Sequence, residues 1–174
     1  MKKRIIVIGC PGSGKSTFAK RLSSLTGIPV VHLDTLWWKP GWVEEDREVF
    51  DEKLGRVLQL DSWIIDGNYN RTVEMRLQCA DMVFNFKVGI ISCLYGYFKR
   101  LILGKLGVRR SDITAGCEER FDPEFVKYII GFKYGNGKRT EELLKKYPDV
   151  KEVNFYSKKH ADRYLYGLEK YFLR

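Results

Sequence analysis

The chain has 174 residues, 44% of them hydrophobic and 30% charged, with a formal net charge of +9, which suits one compact α/β-sized domain over residues 1–174. No apolar run approaches the ~18 residues a membrane-spanning helix needs: the longest, Val88 to Phe98, is bounded by Lys87 and Lys99. The opening MKKRIIVIG runs into glycines with no small-residue cleavage site, so a signal peptide is not expected, and Cys10, Cys79, Cys93 and Cys117 form no CxxC pair, as free thiols of a cytoplasmic protein would.

RIIVI, residues 4–8, is a β-branched run without alternation, the pattern of a strand buried on both faces. Glycines interrupt it, and Phe18, Ala19, Leu22 and Leu25 then recur at helical spacing up to Gly27 and Pro29. PVVHLD reads as a second strand. Acids at Glu44, Glu45 and Asp46 open a helix carrying Phe50, Leu54, Val57 and Leu58. SWIID and DMVFNF are the third and fourth strands, with a short helix around Val73 to Leu77 between them. A helix from Ile90 carries Ile91, Leu94, Phe98, Leu101 and Ile102. Residues 104–121 lose periodicity and read as a short lid. Asp122-Pro123 caps a helix running to about Phe132, another is expected near Glu141 to Tyr147, KEVNFY is the fifth strand, and Ser157 caps the last helix. Strands alternating with helices predict a three-layer α/β/α fold around a parallel sheet.

GCPGSGKST, residues 9–17, matches G-x-x-x-x-G-K-[ST] between a predicted strand and a predicted helix. Gly9, Cys10, Pro11, Gly12, Ser13 and Gly14 would turn backbone N–H groups toward phosphate oxygens, beside the positive end of the helix that Thr17 helps open. Lys15 would reach the β- and γ-phosphates, and the Ser16 hydroxyl would hold Mg²⁺. ATP with Mg²⁺ is the cofactor pair this motif implies.

Asp34 and Asp66 each fall at the carboxyl end of a predicted strand, where ligands enter open parallel sheets. Asp66 suits the metal and Asp34 an acceptor proton, the alternative for either being a helix or turn cap. Arginines neutralise a transferring phosphoryl group. Arg100, Arg109, Arg110, Arg120 and Arg139 are the candidates, catalytic or solvated; Arg109, in the lid, is placed with the nucleotide.

These motifs, in this order, resemble the adenylate kinase-like branch of P-loop kinases. The stretches HLDTLWWKPGW, WIIDGNY, AGCEERFDPEF and FYSKKHADRYL resemble more specifically the DNA topology modulation (FlaR-related) proteins, an ATPase or kinase-like family within that branch. The resemblance implies a five-stranded sheet of order 2-3-1-4-5 as in adenylate and shikimate kinases, Lys15, Ser16 and Thr17 on the triphosphate, Asp66 on the metal, and Ser157 and Lys158 near the adenine. Adenylate kinases follow their Asp-Gly with Phe-Pro-Arg-Thr. Here Asp66-Gly67 is followed by Asn68-Tyr69-Asn70-Arg71-Thr72, with the arginine displaced by one residue, which argues against a nucleoside monophosphate acceptor.

Three of the four tryptophans lie in VVHLDTLWWKPGW. Trp37 reads equally as core or site. Trp38 and Trp42 flank a Lys39-Pro40-Gly41 turn and read, with Asp34, Gly67, Asn68 and Tyr69, as the wall against an acceptor, within an insertion of about residues 35–60. The expected function is transfer of the γ-phosphate of ATP to a small acceptor. The alternatives are a regulatory protein that binds nucleic acid, favoured by the charge but lacking any helix-turn-helix, RNP or zinc pattern, and a non-catalytic nucleotide binder.

Overall fold

RIIVIG becomes the centre of the sheet because its side chains are needed on both faces. In the computed structural model, which describes residues 3–172, strand β1 (Arg4–Gly9) lies between β5 (Trp63–Asp66) and β6 (Met82–Phe86). Strand β2 (Val30–His32) pairs outside β5, and β7 (Lys151–Phe155) outside β6. The order β2-β5-β1-β6-β7 is parallel throughout; counted over these five strands it is the expected 2-3-1-4-5.

The intervening helices are α1 (Lys15–Thr26), α2 (Leu33–Trp37), α3 (Arg47–Leu58), α4 (Asn70–Leu77), α5 (Ile90–Lys105), α6 (Pro123–Gly131), α7 (Asn136–Leu144) and α8 (Lys158–Phe172). Alternation along β1 sorts the core. Ile5 and Val7 pack with Phe18 and Leu22 of α1, Tyr97 of α5 and Leu165 of α8. Ile6 and Ile8 face Phe50 and Leu54 of α3 and Val73 and Leu77 of α4. Phe18 meets the rings of Phe84, Phe86 and Phe155 at 4.9, 5.4 and 5.1 Å, fixing α1, and with it the loop before it, to the sheet.

The structure departs from the sequence reading in three places. Strand β2 ends at His32, whose ladder partner Asp66 is the last residue of β5. Leu33 and Asp34 have no strand to pair with, and the chain turns into α2, with Thr35 Oγ1 donating to the His32 carbonyl at 2.7 Å. Asp34 thus stands in the first turn of a short helix and not at a strand end. Next, Trp38–Lys39 (β3) and Val43–Glu44 (β4) form an antiparallel hairpin around the Pro40-Gly41 turn; two-residue strands leave no periodicity to read. Finally, α7 begins at Asn136 and not near Glu141. Its start is fixed by tertiary bonds: Asn136 Nδ2 donates to Tyr128 Oη at 3.0 Å, and Asn70 Nδ2 donates to the Asn136 carbonyl at 3.2 Å.

Candidate active site

A cavity of about 880 Å³ opens at the carboxyl ends of the central strands, where β5 and β6 diverge to either side of β1. Its floor is the loop between β1 and α1. Gly12 has φ 78°, and a Cβ there would lie 2.2 Å from the Cys93 carbonyl oxygen, so only glycine lets the loop pack against α5. At Gly9 a Cβ would lie 2.4 Å from the Phe86 carbonyl oxygen. Lys15 is buried, its Nζ donating to the Cys10 carbonyl at 3.0 Å across the turn. Ser13 is fully buried and its hydroxyl has no partner. Ser16 and Thr17 line the same cavity at the N-terminus of α1, so backbone donors, an ammonium and two hydroxyls converge on space of phosphate character. The Cys10 thiol, which donates to the Ile129 carbonyl at 3.9 Å, has its pKa pushed up by the neighbouring Cys93 thiol and by burial.

Asp66 is buried and divided in its commitments. Its Oδ2 accepts from His32 Nδ1 at 2.8 Å, while Oδ1 is buried without a hydrogen-bond partner. An orphaned carboxylate oxygen in a cavity that also holds the Ser16 hydroxyl fits a divalent cation. Among the described residues no three His, Cys, Asp or Glu side chains gather around one point. Mg²⁺ held by one carboxylate, a hydroxyl, nucleotide phosphates and water requires no such cage.

Asp34 receives the Tyr69 hydroxyl on Oδ1 at 2.8 Å. Burial raises its pKa above the ordinary carboxylate range and the Asp66 charge adds to this, against the Tyr69 hydrogen bond, Arg110 and Lys15. Tyr69 is itself fixed: its backbone has φ 35° and its ring stacks on Phe50 at 5.3 Å. Behind this loop lies Arg76, fully buried. Its Nη1 donates to the Gly67 carbonyl at 2.9 Å, Nη2 to those of Asn68 and Tyr69, and Nε to that of Thr72 at 3.2 Å. Burial lowers its pKa to about 9, with Asp66 opposing. Asn68 completes the frame, its amide exchanging hydrogen bonds of 2.9 Å in both directions with the backbone of Gly9.

The opposite wall is cationic. Arg100, Arg109, Arg110, Lys20, Lys99 and Lys158 line the cavity. Arg110 bonds Asp112 and Glu119 and, against burial, these carboxylates hold it firmly protonated. Arg100 sits 2.9 Å from Glu119 and over the Tyr97 ring at 5.4 Å. Lys20 reaches Asp112 at 3.0 Å. Residues 106–121, free of helix or strand, are fastened to the hairpin: Trp42 Nε1 donates to the Glu118 carbonyl at 2.8 Å, Gly41 N to that of Gly116 at 3.0 Å, and Thr114 Oγ1 to that of Trp38.

The predicted residues therefore divide. Pro11 through Thr17, Asp34, Trp38, Asp66 through Tyr69, Arg100, Arg109 and Lys158 come together around the one cavity, with Trp37. Gly9 and Cys10 lie beneath it as backbone supports. Trp42 is turned to residue 118 and packs on Trp38 at 5.3 Å. Ser157 caps α8, accepting from the His160 N–H at 3.1 Å. Arg120 is exposed and absent from the cavity wall, and Arg139 lines a separate shallow cleft with Arg71 and Lys146. Sequence reading missed His32 and Arg76. The signal for His32 was its place two residues before Asp34; Arg76 reads as one more helical surface cation.

The profile of the AAA domain family matches residues 5–81. Curated adenylate kinases of Thermotoga petrophila and Thermotoga maritima are each 31% identical over 81 residues, 47% of this chain and 36% of theirs. That of Clavibacter michiganensis is 32% identical over 78 residues, 45% of this chain and 38% of its own. The match thus spans little more than a third of the length of these relatives. A crystal structure of shikimate kinase from Bacteroides thetaiotaomicron superposes with a TM-score of 0.53 at 16% identity, covering 99% of both chains. The strand order, the glycine-rich loop and this superposition agree: the fold is the P-loop kinase-like α/β fold, with a nucleotide-binding loop at its centre.

Proposed function

We propose that this chain is a cytoplasmic phosphotransferase that moves the γ-phosphate of ATP, bound with Mg²⁺, to a small acceptor carrying a hydroxyl group. The observation that supports it most is the pairing of a buried and a half-buried carboxylate with a phosphate-type loop in one cavity: Asp66 with an unpartnered oxygen, Asp34 with its charge disfavoured. The loop amides and Lys15 would bind the triphosphate, and Ser16 and Asp66 would hold Mg²⁺, which would supply neutralisation of phosphate charge. Asp34, oriented by Tyr69, accepts the hydroxyl proton as the acceptor oxygen bonds to the γ-phosphorus and the bond to the β-bridging oxygen breaks, leaving ADP. Arg100, Arg109 and Arg110, carried by α5 and residues 106–121 acting as a lid, stabilise charge on the transferring group. For Arg110 this requires exchange of Asp112 and Glu119 for phosphate oxygens.

Trp37 and Trp38 present indole surface beside Asp34, while Arg71, nearest to the arginine of the adenylate kinase pattern, is held by Asp51 at 2.6 and 2.7 Å. An apolar or flat acceptor suits this wall better than a monophosphate. The motif likeness to the DNA topology modulation (FlaR-related) proteins belongs to this proposal as its finer family assignment. In an ADP-release screen, a hydroxyl-bearing acceptor gives turnover with the wild type, and Lys15→Ala lowers it at least 10²-fold. Equal background release by both proteins across the panel would refute the proposal.

A further inference from the structure

Helix α5 has three faces and the fold uses two. Cys93, Tyr97 and Leu101 enter the core, and Gly96, Arg100 and Leu103 face the cavity. On the remaining face Ile91 is 82% exposed, Tyr95 66%, Phe98 43%, Ile102 61% and Leu106 73%, and Phe121, stacked on Phe98 at 6.5 Å, is 62% exposed. We propose that this face pairs two copies of the chain, their α5 helices antiparallel about a two-fold axis.

Two observations choose a second copy over other occupants. The first is area. At roughly 200 Å² for each large apolar side chain, these exposures amount to about 800 Å² per molecule, the share a standard-size interface takes from each partner. A contiguous apolar patch of that size exceeds what monomer surfaces ordinarily carry. The second is self-complementarity. Ile91, Tyr95, Phe98 and Ile102 are separated by four, three and four residues, a heptad-like seam that reads the same in both directions. A two-fold interface needs the same patch to fit its own inverse. Antiparallel pairing about the middle of this seam sets Ile91 against Ile102 of the second copy and Tyr95 against Phe98. The pairing braces the helix that delivers Arg100 to the cavity.

Light scattering on the full chain tests this without reference to turnover. At about 100 µM the wild type is expected at twice 20.4 kDa. Tyr95→Glu and Ile102→Glu, at exposed positions with no core contact to lose, shift it to 20.4 kDa and weaken dimerisation at least tenfold, with the thermal midpoint of the monomer retained. The double variant Ile91→Cys with Ile102→Cys fixes the geometry. The two positions lie about 16 Å apart along one helix, too far for an internal bridge, so a covalent dimer formed under mild oxidation by the double variant and by neither single cysteine variant reports the antiparallel pair, even where the glutamate variants fold poorly. A wild type that stays at 20.4 kDa, a dimer undisturbed by both glutamate variants, or no cross-link in the cysteine variant would overturn the proposal. Monomer binding to anionic phosphatidylserine vesicles, lost in Tyr95→Glu, would overturn it in favour of a membrane surface.

Discussion

Asp34 is the residue on which the proposed transfer turns, and its environment makes a signed prediction. Burial disfavours its carboxylate and the neighbouring Asp66 charge adds to the effect. The native state therefore binds the proton better than the unfolded chain does, and stability falls as pH rises from the ordinary carboxylate pKa through the raised value. Asp34→Asn removes that slope while keeping an oxygen for the Tyr69 hydroxyl. Thermal unfolding should place the variant at or above the wild type at pH 7, with the advantage vanishing below about pH 4. A variant less stable at pH 7 by more than it is at pH 4 would show that the carboxylate is stabilised after all. Arg76 makes the opposite case. It donates to four carbonyl oxygens of the segment from Gly67 to Thr72, and Arg76→Met strands those acceptors in the interior. A loss of roughly 2–4 kcal/mol is expected, read as a lowered denaturant midpoint, with retention of the wild-type midpoint as the contrary result.

At the scale of elements, the hairpin β3–β4 and residues 114–118 form one unit held by backbone bonds and by the Trp42 indole. Trp42→Phe keeps the ring contact with Trp38 and deletes only the donor to the Glu118 carbonyl. About 1 kcal/mol of local stability is lost, so limited proteolysis should cut residues 106–121 several-fold faster while the global midpoint barely moves. Unchanged cleavage would mean the indole bond does not hold the strap. These elements also show what was readable in advance. The glycine-rich loop, Asp66 and the long strands were legible because each is written in contiguous residues with a strong period or a spacing set by phosphate chemistry. The hairpin was not, since two-residue strands have no period. The start of α7 was not, since Asn136 is placed by Tyr128 and Asn70, distant in sequence. Arg76 and His32 look solvated or incidental until the sheet brings Gly67 and Asp66 against them. Ser157 was correctly read as a cap, but its side chain is spent on that cap.

For the whole molecule, a parallel sheet that diverges at its centre sets a phosphate loop, two carboxylates and a cationic strap around one opening, with indole surface on one side. The groups assigned a part in the transfer reach that opening from α1, α2, β5, α5 and residues 106–121, and the core on each face of the sheet fixes their relative places. The central claim is that this assembly moves a phosphoryl group from ATP and that Asp34 takes the acceptor proton. Acceptor-dependent ADP release, measured with wild type and Asp34→Asn alongside ATP binding by each, tests it most directly. The predicted result is turnover with at least one hydroxyl-bearing acceptor, lost at least 10²-fold in Asp34→Asn while ATP binds both proteins equally. Turnover undiminished in Asp34→Asn, or no acceptor-dependent ADP release by a wild type that binds ATP, would contradict it.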